Sequence, residues 1–412
     1  THAGLTNIDS NDGNDNINVK TTTGTLNINT DNGNDQVDIG SQAPNANGTL
    51  NAIHGSINII GGNGSDTLNI DDSGDNTLNE STLSKSTFTG AGMSGTITYG
   101  LNESGVDAGN IEDLNILLGS GTDELEVNSI HAFTPTEIWT SDGNDHVTVG
   151  ADTGLLNEIA ARLDIDMGSG NSDTLTLDDS SDNANNVAEI SAGLVSGLGM
   201  GSPDQTDTIE TRSTHYLNTE TLELLTGNGS DDISLNESST NHTTISSKQG
   251  SDHIHILTTS GTLEVNGGSD NDTILTTDTL NGDATILGGA GDDTIWVNYQ
   301  DDNAAKFNDT ITQTFNNAID GYALTLQGNT GNDDYRIGLA GYGDALINVI
   351  EEHEQHTSDA NGRLRVYGTE VRDFFLFRKG SVIAYPREVA EGPQGGQATA
   401  VERVNYDGNL DA

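Results

Sequence analysis

Aspartate at a fixed register is the chemistry-bearing feature of this sequence. Asp15, Asp35, Asp66, Asp123, Asp145, Asp173, Asp231, Asp252, Asp272, Asp293, Asp333 and Asp373 each stand two residues before an apolar or aromatic side chain. Seven residues before the aspartate lies another apolar residue, such as Ile59 before Asp66 or Ile286 before Asp293. For Asp173 the match is Ile165, because residues 167–172 carry one extra residue. Between these apolar positions the chain is rich in glycine, as in Gly61-Gly62-Asn63-Gly64-Ser65-Asp66. A carboxylate is a hard oxygen ligand, and a column of them at the strand spacing of about 4.8 Å is repulsive. Each neighbouring pair costs roughly 0.9 kcal/mol in bulk water and about 3.5 kcal/mol at an effective dielectric near 20. Ca²⁺ is the cofactor expected to offset this, since it takes roughly six to eight oxygens, backbone carbonyls included, in flexible geometry. The alternative is that the aspartates cap turns by accepting backbone N–H groups, as in Asx turns.

The elements that position these groups follow from the alternation around them. Ile57 and Ile59 precede the turn at Asp66, and Leu68 and Ile70 follow it, the pattern of half-buried strands. Glycine at the second and fourth turn positions, Gly62 and Gly64 or Gly289 and Gly291, permits positive φ and close backbone approach. The shortest anchor spacings are 20 to 22 residues, and the 40-residue gaps are read as double steps. One strand–turn–strand unit per step predicts an all-β fold, a parallel β-solenoid of the β-helix or β-roll kind. The motif is expected on one edge of it. Gaps of 57 and 58 residues should hold extra coils or excursions. A longer repeat of about 107 residues is also present: Asp71-Asp72-Ser73 recurs as Asp178-Asp179-Ser180, and Asp123 and Asp145 recur as Asp231 and Asp252. A short helix is expected over Leu155–Arg162. Residues 1–300 form an acidic solenoid, and 301–412 continue it with larger insertions and nine of the fourteen basic residues. An exposed loop is expected at Gly392–Gln397.

Composition narrows the classes. Hydrophobic residues make up 32% of the chain and its net charge is −50, so an ordinary globular core is hard to build and a repeat architecture is favoured. No cysteine is present, which removes disulfides and thiolate metal sites. Acidity of this degree opposes nucleic-acid binding, and no apolar run is long enough for a membrane span. His353-Glu354-Gln355-His356 has the wrong spacing for a zinc helix. His253 and His255 flank Ile254 and should point outward. Both ends of the chain read as cut from a longer protein.

Gly61–Asn69 and Gly288–Trp296 resemble the nonapeptide of RTX (repeats-in-toxin) calcium-binding repeats. Partial matches end at Asp15, Asp145 and Asp231. The resemblance implies a parallel β-roll, Ca²⁺ between stacked turns, and secretion to the bacterial surface or the extracellular space. Family repeats run in tandem nines, whereas these turns come once per coil, so fewer ions than coils are expected. The chain is similar to repeat regions of very large bacterial surface proteins. The leading expectation is a structural or adhesive rod or filament segment. Its partners would be copies of itself in a fibre or surface layer, and surface glycans. The alternatives are a calcium-triggered folding module of a secreted toxin or hydrolase, and a β-helix enzyme acting on polysaccharide with Arg363, Arg365 and Arg372. No nucleophile elbow or phosphate loop is present.

Overall fold

The computed structural model describes residues 3–100, 111–201, 213–238, 240–277, 280–297, 323–338, 346–350, 362–367, 373–378, 381–386 and 402–406. Its elements are short strands, with no helix among the described residues, and their parallel stacking makes a β-solenoid. Two compact units emerge: Thr1–Asp179 with Gly193–Glu223, and Ser180–Ala192 with Leu224–Ala412.

In the first unit, strands Thr6–Asp9, Leu26–Asn29 and Ile57–Ile60 stack in parallel in a first sheet. Strands Asn16–Val19, Gln36–Ile39, Thr67–Asp71, Asp113–Leu117, Thr136–Trp139 and Leu163–Asp166 stack in a second. Equivalent residues lie in register, Ile28 against Ile59 and Ile39 against Ile70. Side chains alternate across each strand, so one row fills the interior: Ile57, Leu68 and Ile70 are fully buried. Asparagines on the outward rows form amide ladders, Asn58 Nδ2 to Asn27 Oδ1 and Asn27 Nδ2 to Asn7 Oδ1, both 2.8 Å. A chain this poor in apolar residues folds because each strand needs only one apolar row.

The long gaps hold antiparallel meanders. Glu80–Ser84, Thr87–Gly90 and Ile97–Thr98 pair in turn, and Ile97–Thr98 then runs parallel to Ile57–Ile60. First-sheet stacking resumes from Glu80–Ser84 with Glu124–Val127, His146–Val149 and Thr174–Asp178. The second unit stacks Val187–Ser191, Asp232–Leu235, His253–Ile256, Thr273–Thr276, Thr294–Val297, Asp334–Gly338 and Arg363–Tyr367 in one parallel sheet. His242–Ser246, Thr262–Ser269, Ala284–Ala290, Ala323–Thr330 and Leu346–Ile350 stack in another. In the sheet that begins at Val187–Ser191, Ile254 sits at 0% exposure between Ile233 and Ile274. Ile254→Ala is expected to cost about 2–5 kcal/mol in urea unfolding, since stacked coils cannot collapse into the cavity.

Three expectations change. Residues 155–162 form turns: Ile159 bridges to Ile130, and the Leu156 N–H goes to Asp179 Oδ1. Leu156 and Ile159 are buried; the Ile159 N–H closes a tight turn on the Leu156 carbonyl, while the Leu156 N–H and the Ile159 carbonyl bond to distant segments, so an i→i−4 ladder does not form. The 40-residue step from Asp293 to Asp333 is one coil, because Thr294–Val297 pairs directly with Asp334–Gly338. Asp373 opens Asp373–Arg378, which is antiparallel to Ser381–Pro386, so it begins a hairpin and no further parallel coil. The histidine pair at 353 and 356, Arg372, and the loop at 392–397 lie outside the described residues.

Candidate functional site

The aspartates stack into columns joined by one repeated hydrogen bond. Asp15 N–H donates to Asp35 Oδ1 at 2.8 Å, Asp35 N–H to Asp66 Oδ1 at 2.9 Å, and Asp66 N–H to Glu112 Oε2 at 2.8 Å. A second column runs from Asn79 N–H to Asp123, then Asp145, Asp173 and Glu220, with distances of 3.0, 2.8, 2.8 and 3.0 Å. In the second unit, Asn186 N–H donates to Asp231, followed by Asp252, Asp272, Asp293 and Asp333, at 2.8, 2.7, 2.9, 2.8 and 3.0 Å. Each carboxylate therefore caps the turn of the preceding coil. Capping occurs, but between coils and without the local Asx turn.

The motif does not keep to one edge within the first unit. The Asp15–Glu112 column precedes second-sheet strands, and the Asn79–Glu220 column precedes first-sheet strands. The change comes at residues 72–79, which stack on 118–123 through Ser120 N–H to the Asp75 carbonyl and Glu124 N–H to the Asn79 carbonyl. From Asn79 to Glu220 the motif occupies the passage from the second sheet to the first. Asn79, Glu112, Asn186 and Glu220 hold the aspartate register without being aspartate. Their downstream rows, such as Leu114 and Ile116 or Leu222 and Leu224, carried the same signal.

The fifth turn position forms a second ladder of opposite sense. Asn34 N–H donates to Asn14 Oδ1, Ser65 N–H to Asn34 Oδ1, Asp292 N–H to Asn271 Oδ1, and Asn332 N–H to Asp292 Oδ1. Backbone geometry explains the glycines. Gly62 has φ +101° and Gly64 φ +152°, and in the turn ending at Asp293 Gly289 has +111° and Gly291 +150°. Asn11, Asp31, Ser141, Lys248 and Asn329 take positive φ at the second position. The fourth position is glycine in most turns but Asp270 at φ +81° in the turn ending at Asp272, and a Cβ on Gly64 would lie 1.6 Å from the Gly33 carbonyl oxygen.

The carboxylates are deeply placed. Asp35, Asp66, Asp123, Asp145, Asp173, Asp231, Asp252, Asp272, Asp293 and Asp333 are each at most 3% exposed. The buried Oδ2 atoms of Asp15, Asp35, Asp66, Asp123, Asp145, Asp173, Asp231, Asp252, Asp272 and Asp293 have no hydrogen-bond partner among the described residues. Burial first, and neighbouring carboxylates second, push Asp272 up to about 8, against the lowering effect of the Asp252 N–H. Burial likewise raises Asp252 and Asp293 to about 7, and Asp66, Asp145 and Asp173 to about 6.

The turns do not fit a cation equally well. At the first turn position Thr30 donates its hydroxyl to the Gly61 carbonyl at 2.6 Å, Thr140 to the Met167 carbonyl at 2.9 Å, and Ser247 to the Gly267 carbonyl at 2.7 Å. These hydroxyls occupy carbonyls that a hard ion would need. Gly267 and Gly288 carry no side chain there, and a Cβ on either would lie 2.5 or 2.4 Å from Oδ2 of Asp272 or Asp293. That cradle, beside a carboxylate oxygen lacking a partner, suits Ca²⁺ best at Asp272 and Asp293. No preassembled group of three acidic or imidazole side chains able to hold a metal occurs among the described residues, so most donors there would be carbonyls.

These features define a parallel β-solenoid whose coils are tied by columns of buried acids. Neither protein-family models nor curated protein sequences give a match to the chain.

Proposed function

We propose that this chain is a calcium-stabilised segment of a structural or adhesive extracellular protein of the bacterial surface. The observation that carries the reading is the row of buried Oδ2 atoms without partners, repeated at one register. When bound, Ca²⁺ would supply the positive charge that lets these carboxylates stay ionised inside the turns. Asp272 and Asp293 would hold the tightest ion. Asp15, Asp35, Asp66, Asp123, Asp145, Asp173, Asp231, Asp252 and Asp333 would contribute weaker sites or serve only as caps. The parallel strands described form stacked coils, and asparagines on outward rows form amide ladders, which suits a load-bearing or spacing role. Glycans and further copies of the chain are the partners this reading proposes.

Equilibrium dialysis against radioactive Ca²⁺ tests it. Fewer ions than coils should bind, and Asp272→Asn with Asp293→Asn should remove the tightest class. Asp35→Asn should leave that class in place. Absence of bound Ca²⁺ at millimolar free ion would overturn the reading.

A further inference from the structure

A different chemistry appears on the outward face of the second unit. Strands Thr294–Val297, Asp334–Gly338 and Arg363–Tyr367 lie side by side, with Trp296, Arg336 and Arg365 in one register row and Thr294, Asp334 and Arg363 in the next. Interior positions on the first two strands, Ile295, Val297, Tyr335 and Ile337, are fully buried, so these rows face outward. The rings of Trp296 and Tyr367 are stacked, with centroids 6.1 Å apart and planes 15° apart. Arg336 places its guanidinium carbon 5.0 Å from the Trp296 ring centroid. Asp334 Oδ2 fixes both arginines, at 2.7 Å from Arg336 Nη2 and 3.0 Å from Arg365 Nη1. Tyr367 is 43% exposed.

Among the described residues, three guanidiniums, Arg336, Arg363 and Arg365, stand against the carboxylate of Asp334, a cationic spot on a chain of net charge −50. Over a Debye length of about 8 Å at physiological salt, that local charge decides what docks. A polyanion extending past the patch meets the acidic remainder and is repelled. A compact ligand with one carboxylate is not. The stacked aromatic pair adds a flat apolar surface, which suits the C–H face of a pyranose. Arg365 gives Asp334 one N–H, and a guanidinium carries five donors in a fork that matches a carboxylate.

We propose that this face binds a carboxylate-bearing sugar of the sialic or uronic acid class. The sugar ring packs on the aromatic pair, and Arg365, assisted by Arg363, takes the carboxylate. This goes beyond the calcium reading and does not depend on where the ions sit.

The test uses 3′-sialyllactose with the full chain in calcium-containing buffer, so that a failed calcium reading is not mistaken for a failed sugar reading. Trp139→Phe leaves Trp296 as the sole tryptophan reporter. A saturable change in its fluorescence is expected, with lactose at least tenfold weaker. Arg365→Ala and, separately, Tyr367→Leu should each weaken binding at least tenfold while leaving the melting temperature within a few degrees. The proposal is overturned by no saturable change, by equal binding of lactose, or by sodium sulfate competing as well as the sugar. It is also overturned if light scattering shows that the patch is covered by a second copy in a dimer lost in Arg365→Ala.

Discussion

Alanine at position 64 is expected to be one of the most damaging single changes in the first unit. Gly64 sits at φ +152°, a conformation that costs a residue with a Cβ about 1–3 kcal/mol. The new Cβ would also lie 1.6 Å from the Gly33 carbonyl oxygen, so the two coils must separate. That separation pulls apart Asp35 and Asp66, whose N–H to Oδ1 bond is 2.9 Å. The combined loss should exceed about 3 kcal/mol in urea unfolding, placing it in the tail of point-mutant effects. Ser65→Ala, one residue along, should change stability by no more than about 0.5 kcal/mol, because Ser65 uses only its backbone N–H in the ladder. Equal effects of the two substitutions would mean that close coil stacking is not what demands glycine.

The second large effect is the pH dependence of the chelated protein. Asp272 rises to about 8, Asp252 and Asp293 to about 7, and Asp66, Asp145 and Asp173 to about 6, each mainly through burial. A folded-state pKa above the unfolded value of 3.8 means that the folded protein holds a proton which the unfolded chain releases. The stabilisation is complete below the unfolded pKa and disappears as pH rises through the folded one. In EGTA the melting temperature should therefore fall throughout pH 5 to pH 8, most steeply below about 6, where all six groups still hold protons in the folded protein, and levelling off towards 8. Replacing Asp272 and Asp293 with asparagine should flatten the upper part of that curve, because an amide cannot ionise. A chelated protein equally stable at both ends of the range would show that the columns are solvated well enough to ionise without cost.

Much of this was legible because a solenoid repeats the same local problem. The apolar pairs at 57 and 59 and at 68 and 70 fixed the strands, and the glycines at 62 and 64 fixed the turn between them. What escaped was whatever depended on a neighbouring coil. Glu112 and Glu220 close their columns with a longer side chain that an aspartate count passes over. Asn79 opens a column on the other edge because residues 72–79 stack on 118–123, a contact between distant segments. The 155–162 stretch has helix-like spacing of Leu156 and Ile159, yet it closes a single turn from the Ile159 N–H to the Leu156 carbonyl and is then tied to distant segments through Asp179 and Ile130. Which first-position residue would crowd a cation, hydroxyl or glycine, was written in the chain at Thr30, Ser247, Gly267 and Gly288. Its meaning appeared only when those positions were seen to stack.

We propose that the buried Oδ2 atoms hold calcium. Thermal unfolding at pH 8, in excess CaCl₂ and in EGTA, tests it most directly. We expect a saturable rise of many degrees with calcium, a much smaller rise at pH 5 where protons occupy the same carboxylates, and loss of most of the rise in Asp272→Asn/Asp293→Asn. Identical melting curves with and without calcium at pH 8 would contradict it and leave the columns as inter-coil caps alone.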